Sequence, residues 1–371
     1  MEQQKILIAL PSDQLGGAEQ LLKMIASYYA SNGSDVAVYI GSRKIYNGWD
    51  NISNHPGINI HYHNSGVAGG ISGFYAYLRK LNKTCFDIAW SSNVYYTGLL
   101  GFYRKTGVLK VKRLVGREST SIFIRYSGLK LMIYRFFYNL GYSNVDLLIC
   151  QTGLMKDQLV HGIPRIAAKI KIKVLHNPID IASITKQSAE GEALFYKEGR
   201  KYIVSAGRFI VEKGFDILIK AFKSISEEHP DMDLVILGDG PLMDELKKLV
   251  NTLNLAGRVI LPGRVNNVYP YFKLAKVCVV SSRIEGFPNV LLQMMSQNGN
   301  VISTTCAGGV ADIPGLLTCE PGDEELLLAL MRQILNSSPA EKDKRFEDFC
   351  NFLKQNSIES FTSSIHKELV S

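Results

Sequence analysis

The sequence predicts an α/β protein of two doubly wound domains in tandem. Three observations carry this expectation. At 371 residues the chain exceeds what a single hydrophobic core usually serves. Short, continuously apolar runs alternate with amphipathic stretches at helical spacing, the rhythm of a parallel sheet covered on both faces. That alternation runs twice, with a polar interruption near residues 178–198.

The first run, Lys5-Ile6-Leu7-Ile8-Ala9-Leu10, reads as a buried strand. Further strands are expected at Val36–Ile40, Ile58–His63, Ile88–Trp90, Val111–Val115 and Leu147–Cys150, and Asn177-Pro178 closes another apolar strand. Leu21, Leu22, Ile25, Tyr28 and Tyr29 share one helical face between the first two. The second series places strands at Tyr202–Ala206, Leu234–Leu237, Val259–Leu261, Val277–Ser281 and Val301–Ser303. Phe215, Leu218, Phe222 and Ile225 repeat at helical spacing after its first strand. The expected division is an N-terminal domain over 1–178, a linker over 179–198 and a C-terminal domain over 199–350. A helical segment over 351–371, with Ile358, Phe361, Ile365 and Leu369 on one face, is expected to pack back on a domain, the N-terminal one first.

Composition narrows the function classes. Apolar residues at 46% and charged ones at 20% exclude bulk disorder. The uncharged stretches 88–103 and 286–311 are broken by Ser, Asn, Gly or Gln, so no spanning helix is expected. Met1–Leu10 lacks a signal-peptide pattern, and a cytoplasmic location is expected. Cys85, Cys150, Cys278, Cys306, Cys319 and Cys350 are scattered without a CxxC pair, and read as small apolar residues rather than disulfides or metal ligands. The net charge of +8 is lopsided: residues 1–180 carry 21 Lys/Arg against 10 Asp/Glu, and the rest 21 against 24. Within 101–140, nine basic residues face one acid, Glu118, which points to an anionic partner.

Four segments follow strands and open helices, the place where doubly wound sheets bind ligands. Leu15-Gly16-Gly17-Ala18-Glu19 permits close backbone approach to a phosphate or sugar at Gly16 and Gly17, though two glycines before a helix are also plain turn chemistry. Gly207-Arg208 through Lys213-Gly214-Phe215-Asp216 sets two cations where they can neutralise a diphosphate and its growing charge on departure. Leu237-Gly238-Asp239-Gly240-Pro241 reads as a structural turn, and the loop carrying Val265 as a border for a nucleotide base. The fourth segment is Ser281-Ser282-Arg283-Ile284-Glu285-Gly286-Phe287-Pro288-Asn289-Val290-Leu291-Leu292-Gln293. Here Pro288 is expected at the first helical position, with the amides of Asn289, Val290 and Leu291 turned toward a diphosphate. Glu285 is expected to accept from sugar hydroxyls and Gln293 to meet a ribose.

Taken together, Gly207-Arg208…Glu212-Lys213-Gly214-Phe215-Asp216, the Leu-Gly-Asp-Gly-Pro turn and Glu285-Gly-Phe-Pro-Asn-Val-Leu-Leu resemble the retaining GT-B glycosyltransferases of family GT4, over roughly 200–315. Gly16-Gly17-Ala18-Glu19 adds an N-terminal match. The resemblance implies two Rossmann-like domains facing a cleft and a donor held by the C-terminal one. It implies retention of configuration with no metal cofactor, cations and amides replacing a divalent ion on the diphosphate. Arg208 and Lys213 would then take the diphosphate and Glu285 the donor sugar, as the first acid of the family's Glu-x7-Glu motif. Gly286 and Phe287 complete the expected donor loop.

Two departures stand out. Gln293 replaces the second acid of that motif, which leaves hydrogen bonding to ribose but no charge. The His that many relatives carry in the N-terminal domain has no evident counterpart. Its nearest region is Val115-Gly116-Arg117-Glu118-Ser119-Thr120, where Glu118 is a candidate base or counter-charge, with a solvated or salt-bridged Glu the competing reading. His176 reads as part of the connection rather than of the chemistry.

The stretch 122–138 mixes large apolar residues with periodic cations. It is expected either to lie on the anionic inner face of a membrane or to be a core helix with snorkelling cations. A hexose or N-acetylhexosamine passed from a UDP-sugar, ahead of a guanosine donor, to a lipid-linked saccharide in surface-polysaccharide assembly is the expected function. A non-catalytic GT-B partner subunit is the rival, since Gln293 and the missing His are what decay would leave. A nicotinamide dehydrogenase would need G-x-G-x-x-G after a first strand, which neither series has. No nucleic-acid-binding module is present.

Overall fold

The computed structural model describes residues 3–14, 16–64, 67–190 and 200–370. They form two compact units: Met1–Pro178 with Ile358–Ser371, and Ile179–Ser357.

The first unit holds seven strands, β1 (Lys5–Leu10), β2 (Asp35–Ile40), β3 (Ile58–Tyr62), β4 (Phe86–Ser91), β5 (Val111–Arg117), β6 (Leu147–Cys150) and β7 (Lys171–Val174). They pair in parallel in the order β3-β2-β1-β4-β5-β6-β7, so the winding direction reverses between β1 and β4. Ile6 through Leu10 are all buried, because a parallel sheet covered on both faces needs apolar residues on both. Leu21, Leu22, Ile25 and Tyr29 of helix Gly17–Ser31 pack on one face together with Phe361, Ile365 and Leu369 of helix Ile358–Val370. The other face is covered by residues such as Phe74, Leu100, Tyr138 and Tyr142. Helix Val94–Lys105 and helix Gly128–Gly141 approach backbone to backbone: a Cβ on Gly141 would lie 1.9 Å from the carbonyl oxygen of Gly98.

The second unit repeats the plan with β8 (Lys201–Ala206), β9 (Met232–Leu237), β10 (Val259–Ile260), β11 (Val277–Val280), β12 (Val301–Thr304) and β13 (Leu317–Cys319). Their order is β10-β9-β8-β11-β12-β13, all parallel, with the reversal between β8 and β11.

Two expectations are corrected, and one strand was not foreseen. Of the expected linker 179–198, residues 191–198 lie outside the described residues, and 179–190 belong to the second unit: Ile179 bridges Ser357, and helix Ile181–Glu190 sends Ile184 into that unit's core. The proposed terminal segment divides, since Phe349 and Leu353 of helix Pro339–Gln355 belong to that same core while the last helix belongs to the first unit. Strand β13 was not expected; its three residues are only half-buried and carry little apolar signal. The six cysteines are free thiols, with Cys150, Cys278 and Cys306 buried and Cys85 exposed. Among the described residues no helix is long and apolar enough to cross a membrane.

Candidate functional site

In a doubly wound sheet the loops diverge at the reversal point and leave a crevice at the carboxyl ends of the strands. In the second unit those loops follow β8 and β11. After β8, Phe209 is fully buried and packs edge-to-face on Phe215, which leaves its neighbour Arg208 exposed. The Leu237-to-Pro241 turn supports this loop from the side: Gly207 N donates to Leu237 O at 2.9 Å and Phe209 N to Asp239 O at 2.9 Å. A 3-10 turn, Val211–Lys213, then leads to Gly214. Its φ of 62° and a would-be Cβ 2.1 Å from Ser281 O admit no side chain. Helix Phe215–Glu228 starts there.

The two loops are tied together. Ser281 Oγ donates to Lys213 O at 3.0 Å, and Arg283 N donates to Glu212 O at 2.7 Å. The Arg283 guanidinium grips both carboxylate oxygens of Asp216 at 2.7 Å each. These ties set the central contact, in which Lys213 Nζ donates to Glu285 Oε1. Ser282 Oγ donates to the same oxygen at 2.8 Å, and Glu285 N donates to Cys306 O at 2.8 Å. The paired side chains keep 18 and 17% of their surface in solvent. Arg208 makes no ion pair or hydrogen bond through its guanidinium with any described residue. One end of the crevice therefore offers an accessible lysine–carboxylate pair and an unengaged guanidinium.

The remaining expected donor residues divide. Gly286, Asn289 and Val290 lie partly exposed along the same loop, whereas Phe287 and Leu291 are core side chains that can offer only backbone. Val265 is half-buried against that core. Pro288 is not the first helical residue. It occupies the N-cap position with ψ 94°, and the helix Asn289–Met295 is only seven residues long. A helix that short carries only a small dipole. Gln293 Nε2 approaches Tyr269 Oη at 3.5 Å, and burial pushes the Tyr269 phenol up to about 12.

In the first unit, Gly16 and Gly17 are exposed after β1, while Leu15 lies outside the described residues. Glu19 folds back so that Gly16 N donates to its Oε2 at 3.2 Å, and burial raises its carboxyl above the usual range. The charge near the reversal point is Arg117, which closes β5 and is 3% exposed. Its Nη1 donates to Ser92 Oγ at 2.8 Å and its Nη2 to Asn177 Oδ1 at 2.5 Å, while Nε has no partner among the described residues. Burial pushes the guanidinium down to about 10, against the opposing pull of Glu19 and Glu118. The sequence reading passed over Arg117. A cation ending an apolar strand was the available signal, but Glu118 beside it drew the assignment.

Glu118 is corrected from its expected role. Successive strand-end residues point to opposite faces, so it turns into the core, 2% exposed. Tyr138 Oη donates to Oε2 at 2.8 Å and Tyr142 Oη to Oε1 at 3.1 Å. Burial pushes the carboxyl up to about 7, with the tyrosines and Arg117 pulling it back. A carboxyl enclosed in this way is not presented to solvent. His176 is exposed and follows β7.

Comparison with known proteins places this geometry. Residues 187–349 match the family described as Glycosyl transferases group 1. An uncharacterised glycosyltransferase of Methanocaldococcus jannaschii is 33% identical over 191 residues, covering 51% of this chain and 46% of the relative. The Campylobacter jejuni N-acetylgalactosamine-N,N'-diacetylbacillosaminyl-diphospho-undecaprenol 4-alpha-N-acetylgalactosaminyltransferase is 33% identical over 205 residues, 55% of this chain and 54% of that one. The lipopolysaccharide core glycosyltransferase LpsE of Rhizobium meliloti is 28% identical over 197 residues, 52% and 55% of the two chains. The chain thus spans about half the length of these relatives. Anabaena HepE in complex with UDP and glucose superposes with a TM-score of 0.79 at 17% identity, over 99% of this chain and all of that one. Sucrose-phosphate synthase from Thermosynechococcus elongatus gives 0.78 at 16%, over 99% of both. The fold is GT-B.

Proposed function

We propose that this chain is a retaining glycosyltransferase. It moves a hexose or N-acetylhexosamine from a nucleotide-diphosphate sugar, UDP-linked first, to a lipid-linked saccharide in surface-polysaccharide assembly. The observation that carries this reading is the Lys213–Glu285 pair beside exposed Arg208 at the β8/β11 reversal. It lies inside the stretch that matches the family. The UDP and glucose bound by HepE support the donor, and the undecaprenol-linked acceptor in the Campylobacter relative's name supports the lipid carrier.

In this mechanism Lys213 and Arg208 hold the diphosphate, and their charges grow in value as the bond from sugar C1 to the phosphate oxygen breaks. The bond's electron pair leaves with the nucleoside diphosphate. An acceptor hydroxyl attacks C1 from the same face, and its proton passes to the departing phosphate oxygen. Lys213 and Arg208 supply the neutralisation that a divalent ion supplies elsewhere, which is why the reaction is proposed as metal-independent. Glu285 accepts from donor sugar hydroxyls, with Ser282 fixing the carboxylate; Gln293 with Tyr269 faces the ribose.

The test is a panel of nucleotide sugars screened by thermal shift, followed by assay of nucleoside diphosphate release. A binding donor raises the melting temperature with ln(1 + [L]/Kd). Lys213→Ala is expected to lower transfer about 10²–10³-fold with an unchanged circular dichroism spectrum. Failure of every nucleotide sugar to raise the melting temperature at millimolar concentration overturns the reading. Donor binding without turnover would instead mark a non-catalytic partner subunit.

A further inference from the structure

Helix Gly128–Gly141 commits one side to the first unit and leaves the other uncovered. Its buried residues are Tyr134, Tyr138 and Gly141. Leu129, Met132, Ile133 and Phe136 recur at spacings of three, four and seven and are 74, 65, 42 and 60% exposed, so they form one stripe. Ile124, in the preceding turn of helix, is also exposed. Five of the 15 large hydrophobics exposed among the described residues fall within residues 124–136, a concentration that scattered surface apolars do not produce.

Cations flank the stripe, and aromatic rings back them. Lys130 Nζ stands 4.2 Å from the Tyr126 ring centroid, and the Arg135 guanidinium 5.8 Å from that of Phe123. Tyr126 stacks on Tyr134, and Tyr134 on Tyr95 at the head of helix Val94–Lys105. The decisive point is the missing negative charge. The single acid among residues 101–140, Glu118, is enclosed beneath Tyr138 and Tyr142, so this surface presents cations with no accessible carboxylate from its own segment.

We propose that this face docks on an anionic bilayer surface, with Leu129, Met132, Ile133 and Phe136 in the headgroup–acyl boundary and Lys130 and Arg135 on the phosphates. At 14 residues the helix is about 21 Å long by its rise, too short for a hydrocarbon core of about 30 Å, so it lies in the interface. The inference does not depend on the transfer chemistry: vesicle binding without sugar transfer, or the reverse, would separate the two.

Co-sedimentation of the full chain with vesicles of phosphatidylcholine, alone or mixed with phosphatidylglycerol, tests it. Binding is expected to the mixed vesicles and to weaken as salt is added. Lys130→Ala combined with Arg135→Ala is expected to lower partitioning by about 25-fold, at roughly fivefold per cation. Leu129→Ser combined with Phe136→Ser is expected to lower it by about tenfold or more, with the melting curve as the control for folding. Negligible binding to both vesicles, or binding that survives both double substitutions, overturns the proposal. So does a wild-type dimer that Leu129→Ser with Phe136→Ser turns into monomer without any vesicle binding, since the face would then belong to a second copy.

Discussion

At the β8/β11 reversal the second unit keeps its charges within reach of solvent: Arg208 is exposed, and Lys213 and Glu285 retain 18 and 17% of their surface. Beside the β1/β4 reversal of the first unit, Arg117 is 3% exposed and held by Ser92 and Asn177. The strand order is the same, but the charges do different work. An open pair can exchange its internal partner for an arriving anion at small cost, whereas an enclosed guanidinium has given up its hydration and depends on the partners it has. Topology alone therefore marks both places, and accessibility is where they differ.

Substitution can break or sharpen that contrast. The largest expected effect is the divergence between Lys213→Ala and Arg117→Met. The first should lower transfer by the 10²–10³ already given while urea denaturation stays near wild type. The second should cost about 1–3 kcal/mol of stability in the same denaturation, because Ser92 and Asn177 lose their buried hydrogen-bond partner. A stable Arg117→Met chain would erase the distinction.

A smaller effect concerns Glu118. Its folded value of about 7 lies above the ordinary 4.5, so the protonated carboxyl is favoured by folding. Its contribution is intact below pH about 4.5, where both states are protonated, and is lost as pH rises through about 7. Unfolding free energy measured across that window should fall by on the order of 3 kcal/mol from this group, and Glu118→Gln should flatten the fall. A profile that Glu118→Gln leaves unchanged would show that the carboxyl keeps its charge in the core. The smallest effect is Glu19→Ala, which removes the contact to Gly16 N and should cost about 1 kcal/mol or less by thermal melting, since Gly16 N still donates to Gln14 O at 3.0 Å and water remains available.

Most of the fold was legible because parallel strands buried on both faces read as continuous apolar runs, as in Val277-Cys-Val-Val280. The exceptions lie at sheet edges. Strand β13, three half-buried residues, was not expected, and β7, Lys-Ile-Lys-Val, alternates with lysines and ends three residues before the Asn177-Pro178 close expected for it. The loop positions of Arg208, Lys213 and Glu285 followed from glycines and from Phe215 anchoring the next helix. That Lys213 and Glu285 touch did not, because 72 residues separate them and only the parallel pairing of β8 with β11 brings their loops together. Arg117 and Glu118 show the sharper limit. Both were visible as charges at a strand end and both are buried, but which side each one enters depended on the strand's phase, and a one-residue difference in phase exchanges the faces.

Helix Ile358–Val370 has one more consequence. The second unit, Ile179–Ser357, is continuous in the sequence, whereas the first needs Phe361, Ile365 and Leu369 to cover Leu21, Ile25 and Tyr29. During synthesis a ribosome delivers the later unit whole before it delivers the piece that finishes the earlier one. The half that begins first is completed last, and until then one side of its sheet waits with its oily residues in water.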